Sequence, residues 1–314
     1  MNIAIFEADK ECQEVFQQLE AKIDFFTQDI NHAVHEKKAY EAISIFVRSK
    51  IDRLVLELLP NLRYIQTRST GFDHIDLEEC KKRGIIVSNV QGYAGPPVAE
   101  FAFSLLLNIS RKTDIAIARA KEGSFVYKDL LGFELFEKSI GIVGLGTIGK
   151  QMARIASGFG MKTKAYTHHF DETFCKQYNI EKCSYEELLQ TSDVIMFAVP
   201  LTPQTYHMLD IQKAKLLQPH AVVINVARGE VISKEAIEYL SDHIYGIGLD
   251  VFEGEKELLK NPMSDFLQLI QKSNIRYTPH MAYYTKEALE RIRKISVENM
   301  KRFIEQKEIL HRIV

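Results

Sequence analysis

Short apolar runs alternate with stretches of helical periodicity from the first residues onward, the pattern of parallel α/β sheets joined by helical crossovers. The first series predicts strands over Ile3–Phe6, Ile23–Phe26, Ile43–Val47, Tyr64–Thr67 and Ile85–Ser88. A second series begins at Ile140 and continues with Lys162–Tyr166, Val194–Val199, Val222–Val226, Tyr245–Leu249 and Ile275–Tyr277. Between them, Gly92-Tyr-Ala-Gly-Pro-Pro97 is a breaker cluster, followed by an apolar helix from about Val98 to Ile109. Near the end, Leu289, Ile292, Ile295, Met300 and Phe303 fall on one stripe of a helix running from Lys286 to about Glu305, expected to return and cap the first sheet. The expectation is an α/β protein of two Rossmann-like or flavodoxin-like domains with parallel sheets and a cleft between them. Residues 1–93 and 285–314 would form one discontinuous domain and residues 94–284 the other.

Composition narrows the class without changing this picture. A length of 314 residues suits two domains of about 150 residues each. Apolar residues make up 46% and charged residues 26%, ordinary globular proportions. A net charge of -2 gives no electrostatic reason to expect nucleic acid as a partner. Cys12, Cys80, Cys175 and Cys183 are scattered, without metal-knuckle spacing, so no metal site is expected and the thiols should be free. No basic leader or apolar run of about 18 residues is present. The expectation is a cytoplasmic protein with no membrane partner.

Candidate chemistry enters with Gly141-Ile-Val-Gly-Leu-Gly-Thr-Ile-Gly149, a strand, a glycine-rich turn and a helix start. Gly144 permits the turn, Gly146 lets backbone approach a pyrophosphate, and Gly149 lets the helix lie close on the strand. Thr147 and Ile148 open that helix, whose N–H groups and dipole would face the phosphates. Residues 94–284 are therefore expected to bind a dinucleotide and the discontinuous domain a substrate. About 20 residues past the glycines, NAD sites usually place an acid against the ribose. Here Thr167 stands there, followed by His168 and His169. NAD and NADP both stay open, with NAD slightly favoured because no arginine is adjacent; Asp171 could still reach the ribose.

Three more strands each end in an ionisable residue: Arg228 in Asn225-Val-Ala-Arg-Gly229, Glu255 in Leu249-Asp-Val-Phe-Glu-Gly-Glu255, and His280 in Thr278-Pro-His280. Residues beyond the carboxyl ends of parallel strands line the ligand crevice. Reducing a 2-oxo acid requires a grip on the carboxylate, which suits Arg228, and a proton near neutral pH, which suits His280. Glu255, hydrogen-bonded to the imidazole, would favour its protonated form and fix the ring. Taken singly each has a plainer reading: a surface or capping arginine, a solvated loop carboxylate, a histidine bonded at a turn.

Together these segments, with Thr67-Arg-Ser-Thr-Gly-Phe-Asp-His-Ile-Asp76 and Thr278-Pro-His-Met-Ala-Tyr-Tyr-Thr285, resemble the D-isomer-specific 2-hydroxyacid dehydrogenases, most closely the D-lactate branch. The resemblance implies a homodimeric oxidoreductase that reduces a 2-oxo acid, pyruvate above all, to the D-2-hydroxy acid. It implies Arg228 as carboxylate ligand, His280 as acid/base and Glu255 as its partner. It also implies substrate contacts from Ser69, Thr70, Gly71 and Tyr93, with Tyr283 joining that set. Val199, Pro200, Thr205, Val226, Ala227, Asp250 and Ala282 would line the cofactor. Arg48 stands where the lactate branch tends to have a pocket tyrosine; it would bind a second anionic group of the substrate, swing to solvent or pair with an acid. Two rival readings are a phosphoglycerate- or hydroxypyruvate-type dehydrogenase, suggested by Val47-Arg-Ser49, and a cofactor-sensing protein like the C-terminal-binding-protein corepressors.

Overall fold

A computed structural model of the chain describes residues 1–255 and 264–314. They form two compact units, Met1–Tyr93 with Thr285–Val314, and Ala94–Tyr284.

The first unit is built on five parallel strands: β1 (Asn2–Ile5), β2 (Lys22–Phe25), β3 (Ala42–Ile45), β4 (Tyr64–Thr67) and β5 (Ile86–Ser88), in the order β2-β1-β3-β4-β5. That is the flavodoxin-like order, with its switch point between β1 and β3. Alternation along β1 supplies both faces of the core. Ile3 and Ile5 join Phe16, Tyr64, Met300 and Phe303 on one face, while Ala4 and Phe6 join Ile43, Ile45, Ile65 and Val87 on the other. The helix Lys286–Ile304 contributes Met300 and Phe303 to the first of these faces, and Thr285 caps its start by accepting from the Ala288 N–H at 3.2 Å.

The second unit carries seven strands: β6 (Ser139–Val143), β7 (Lys162–Tyr166), β8 (Glu181–Lys182), β9 (Val194–Phe197), β10 (Val222–Asn225), β11 (Gly246–Leu249) and β12 (Ile275–Tyr277). Their order, β12-β11-β10-β9-β6-β7-β8, is the doubly wound dinucleotide-binding order extended by one strand, with the reversal between β6 and β9. All four residues of β9 and of β10 are buried, as expected for parallel strands covered on both faces. One layer packs the helices Gly95–Arg111 and Thr147–Gly158 on Ile140, Ile142, Met196 and Ile224. The other packs the helices Tyr185–Thr191 and Lys234–His243 on Val143, Phe197, Val223 and Leu249.

Several boundaries differ from the sequence expectation. Strands β1, β2 and β3 begin and end one or two residues early. The apolar helix starts at Gly95, three residues before Val98, with Pro96 and Pro97 in its first turn, where a missing N–H costs no intrahelical bond. Strand β8 was not expected: both of its residues are charged and exposed, so no apolar run announces it, and its pairing with Lys164 and Ala165 of β7 comes from the sheet edge itself.

Candidate active site

The glycine loop joins β6 to the helix Thr147–Gly158 at the sheet's reversal point. Gly144 has φ +94°, a conformation that glycine adopts without a steric penalty, and its N–H donates to the Tyr166 carbonyl at 2.8 Å. A side chain there would meet the Ala198 carbonyl oxygen at 2.6 Å, one on Gly149 would run into the Gly144 carbonyl, and one on Gly146 would point into open space. Gly146 is the helix N-cap and, among the described residues, no side chain caps that end. A helix of 12 residues with an uncapped, unobstructed N-terminus fits a dinucleotide pyrophosphate. Thr147 and Ile148 open the helix, and Ile148 leans on the unit's core.

The chain beyond β7 has already committed several of its polar groups. Thr167 Oγ1 donates to the His169 carbonyl at 3.2 Å, and the His168 ring sits edge-on to Tyr166. Asp171 caps the helix Glu172–Gln177 and pairs with Lys150 Nζ at 2.6 Å. The Lys150 hydrogen bond leads the causes that hold the Asp171 carboxyl below its ordinary range.

After β9, Val199 faces Gly144, and Pro200 opens a turn closed by Thr205, whose hydroxyl donates to the Pro200 carbonyl at 2.6 Å. After β10, Val226 and Ala227 are buried and Arg228 is half-buried, its Nη1 donating to the Ala227 carbonyl at 2.8 Å. After β11, the turn from Phe252 to Glu255 carries Glu255, whose Oε2 accepts from the Phe252 N–H at 3.3 Å. After β12, His280 Nδ1 lies 2.6 Å from Glu255 Oε1. A carboxylate only accepts, so Nδ1 carries the proton of that bond and Nε2 is left to exchange one with a ligand.

Asp250 shapes the His280 loop. Its carboxylate accepts from Thr278 Oγ1 at 2.6 Å, the Met281 N–H at 3.0 Å and the Ala282 N–H at 2.8 Å, and its carbonyl accepts from the His280 N–H at 2.8 Å. Burial pushes the Asp250 carboxyl up from its ordinary value, against the pull of those bonds. Tyr283, just beyond, packs on the unit's core.

In the first unit, Ser69, Thr70 and Gly71 follow β4. Ser69 Oγ donates to the Gly71 carbonyl at 2.6 Å, Thr70 Oγ1 to the Val90 carbonyl at 3.0 Å, and Asn89 Nδ2 to the Thr70 carbonyl at 2.7 Å. Tyr93 is buried and its carbonyl accepts from Arg291 Nη2 at 3.0 Å. Arg48 pairs through Nε with Glu7 Oε1 at 3.3 Å and is otherwise largely exposed.

Residues 103–282 match the family model described as D-isomer specific 2-hydroxyacid dehydrogenase, NAD binding domain. The chain belongs to the D-isomer specific 2-hydroxyacid dehydrogenases. A glyoxylate reductase of Thermococcus litoralis is 36% identical over 269 residues, covering 83% of this chain and 79% of that protein. The D-lactate dehydrogenase of Escherichia coli is 31% identical over 316 residues, covering 96% of each chain. The solved D-lactate dehydrogenase of Aquifex aeolicus, complexed with NAD and lactic acid, superposes with a TM-score of 0.87 at 34% identity, covering 97% of this chain and 96% of that one. This dehydrogenase is accordingly an NAD(P)-dependent oxidoreductase acting on the CH–OH group of D-2-hydroxy acids.

Two supporting residues of the dehydrogenase escaped sequence reasoning, although both lie in Asn225-Val-Ala-Arg-Gly229. Asn225, fully buried, accepts from the Ala227 N–H at 3.0 Å and donates to the Arg228 carbonyl at 2.9 Å, bracing the arginine loop from within. Gly229 lies so close to the Phe252 carbonyl and the Glu253 nitrogen that a side chain would collide with both. An asparagine ending an apolar strand was the available signal for the first; nothing local announces the second. Among the described residues, no helix is long and apolar enough to cross a membrane.

Proposed function

We propose that this dehydrogenase interconverts pyruvate and D-lactate, with His280 as the acid/base. The 2.6 Å contact between His280 Nδ1 and Glu255 Oε1 carries the mechanistic part of the reading. It fixes the ring and presents Nε2 for proton exchange. The glycine loop and the turns at Val199–Thr205 and Val226–Ala227 would hold the cofactor, which when bound supplies or accepts the hydride. In reduction, Nε2–H gives its proton to the carbonyl oxygen as the carbonyl carbon gains a C–H bond; in oxidation the neutral ring takes that proton back. Glu255 stabilises the charged ring whichever way the reaction runs. Arg228 grips the substrate carboxylate and polarises the carbonyl.

Likeness over nearly the whole chain to two D-lactate dehydrogenases supports pyruvate. The higher identity to a glyoxylate reductase favours glyoxylate as the second reading. NAD is the cofactor in this proposal, because Lys150, a cation on the helix behind the glycine loop, is held by Asp171 and no arginine is adjacent to Thr167. The enzyme is a homodimer, a reading supported by the exposed apolar side chains of Phe125, Val126, Tyr127, Leu131 and Phe136.

The deciding measurement is NADH consumption with pyruvate and with glyoxylate, repeated with NADPH. A higher kcat/KM for pyruvate with NADH is expected. Faster turnover of glyoxylate replaces the substrate assignment, and preference for NADPH replaces the cofactor assignment.

A further inference from the structure

The turn that carries Glu255 holds a second histidine–carboxylate pair. Glu253 and Glu255 flank Gly254, whose φ is +80°. While Glu255 takes His280, Glu253 Oε1 takes His207 Nε2 at 2.9 Å and lies 3.5 Å from the Tyr206 hydroxyl. Both members are about two-thirds shielded from solvent, with 31% and 27% of their side-chain surface exposed.

His207 is fixed from its backbone as well as its ring. It has φ +47°, a conformation uncommon for a residue with a side chain and retained only where surrounding contacts determine it. Those contacts run to the segment directly after Arg228. The His207 N–H donates to the Glu230 carbonyl at 2.8 Å and the Leu209 N–H to the Val231 carbonyl at 3.1 Å, so that Leu209 and Ile232 form a parallel bridge. The close approach of Gly229 to Phe252 brings the arginine loop and the glutamate turn into van der Waals contact but gives that contact no direction. The imidazole bond to Glu253 supplies a directional tie.

We propose that His207 is a positioning residue: it clamps the Glu253–Gly254–Glu255 turn to the Arg228 loop and so holds Glu255 in register with the His280 ring. The inference rests on the reading of His280 as acid/base and adds a residue outside the set that touches substrate or cofactor. Its physical basis is that proton transfer is sensitive to displacements of less than an ångström, and that side chains bearing the chemistry keep their rotamers only when hydrogen-bonded neighbours lock them. Among the described residues, the groups that face His207 are the carboxylates of Glu253 and Glu235, the carbonyl of Glu230 and the ring of Tyr206, which stacks on the imidazole at 4.0 Å and whose hydroxyl is itself near the Glu230 carboxylate. Lys234, on the helix that carries Glu235, is paired with Glu238.

The test compares His207→Ala, His207→Gln and Glu253→Ala with the unaltered enzyme in kcat, KM, melting temperature and the pH profile of kcat/KM, rates being scaled to folded protein. His207→Ala and Glu253→Ala should each lower kcat about ten-fold, the scale of a small misplacement of a reacting group, with KM for pyruvate little changed and the pH profile displaced. The two changes combined should cost no more than the larger alone. His207→Gln, whose side-chain amide can donate to Glu253, should restore most of the rate. Should His207→Ala fail to fold, Glu253→Ala at the half-exposed turn carries the same expectation. Wild-type kcat and pH profile in Glu253→Ala, or a lowered melting temperature as the sole effect of His207→Ala, overturns the proposal. His280→Ala run alongside separates the two readings: if it stays active the acid/base assignment fails, and if it is inactive while the Glu253 variant behaves as wild type, only the positioning role fails.

Discussion

His280 adopts φ +52°, and the bonds that hold it there converge on Asp250, whose carboxylate gathers Thr278, Met281 and Ala282 around itself. Because burial raises the Asp250 pKa in the folded protein, the folded state binds this proton at higher pH than the unfolded chain. Its stabilising contribution is therefore complete below the unfolded value of about 3.9 and is lost as pH rises through the folded one. Asp250→Asn removes the titration, so the melting temperature of the natural protein relative to that variant should improve on going from pH 7 to about pH 4.5; a gap that is constant or narrows in acid contradicts the burial argument. Arg48 yields a second expectation. It pairs with Glu7 through Nε alone and is otherwise largely exposed, so its remaining N–H donors could meet a distal carboxylate, and Arg48→Ala should spare pyruvate turnover and lower kcat/KM for a dicarboxylic 2-oxo acid. Equal effects on both substrates would place Arg48 outside substrate choice. Arg228, Glu255 and His280 could be singled out from sequence because each follows an apolar strand. The Arg48–Glu7 pair could not, since its partners come from loops after β1 and β3, some 40 positions apart.

Among the elements, the loops after β10 and β11 come into close contact, because these strands are neighbours and Gly229 presents no side chain to Phe252. Gly229→Ala would place a methyl group against the Phe252 backbone and push the glutamate turn outward. Overpacking of this kind costs about 1–3 kcal/mol, so calorimetry should show a lower melting temperature, and kcat should fall because the turn carries Glu255. A variant with unaltered stability would mean that the two loops separate freely. The central strands were legible because a parallel strand buried on both faces, such as β9 or β10, reads as a near-continuous apolar run. At the sheet edge β8 is exposed and charged and carries no such run. The early start of the helix Gly95–Arg111 was hidden because prolines mark a turn and a first helical turn equally well.

For the whole molecule, the exposed apolar side chains at Phe125, Val126, Tyr127, Leu131 and Phe136 are a surface that a monomer would have reason to avoid. If they join two copies, light scattering should report a dimer for the natural protein and a monomer for Leu131→Asp; a natural protein that is monomeric at micromolar concentration contradicts the homodimer. The sequence by itself determined the two series of strands, the glycine turn and the residue types available for chemistry, since apolar periodicity and strand-end residues are written locally. Only the tertiary structure decided strand order, and with it which loops meet. Glu253 and Glu255 are two residues apart and chemically alike, yet one takes His207 and the other His280. That choice is made by chain returning from β9 and β12, so it depends on which strands lie beside one another and not on the residues flanking either glutamate.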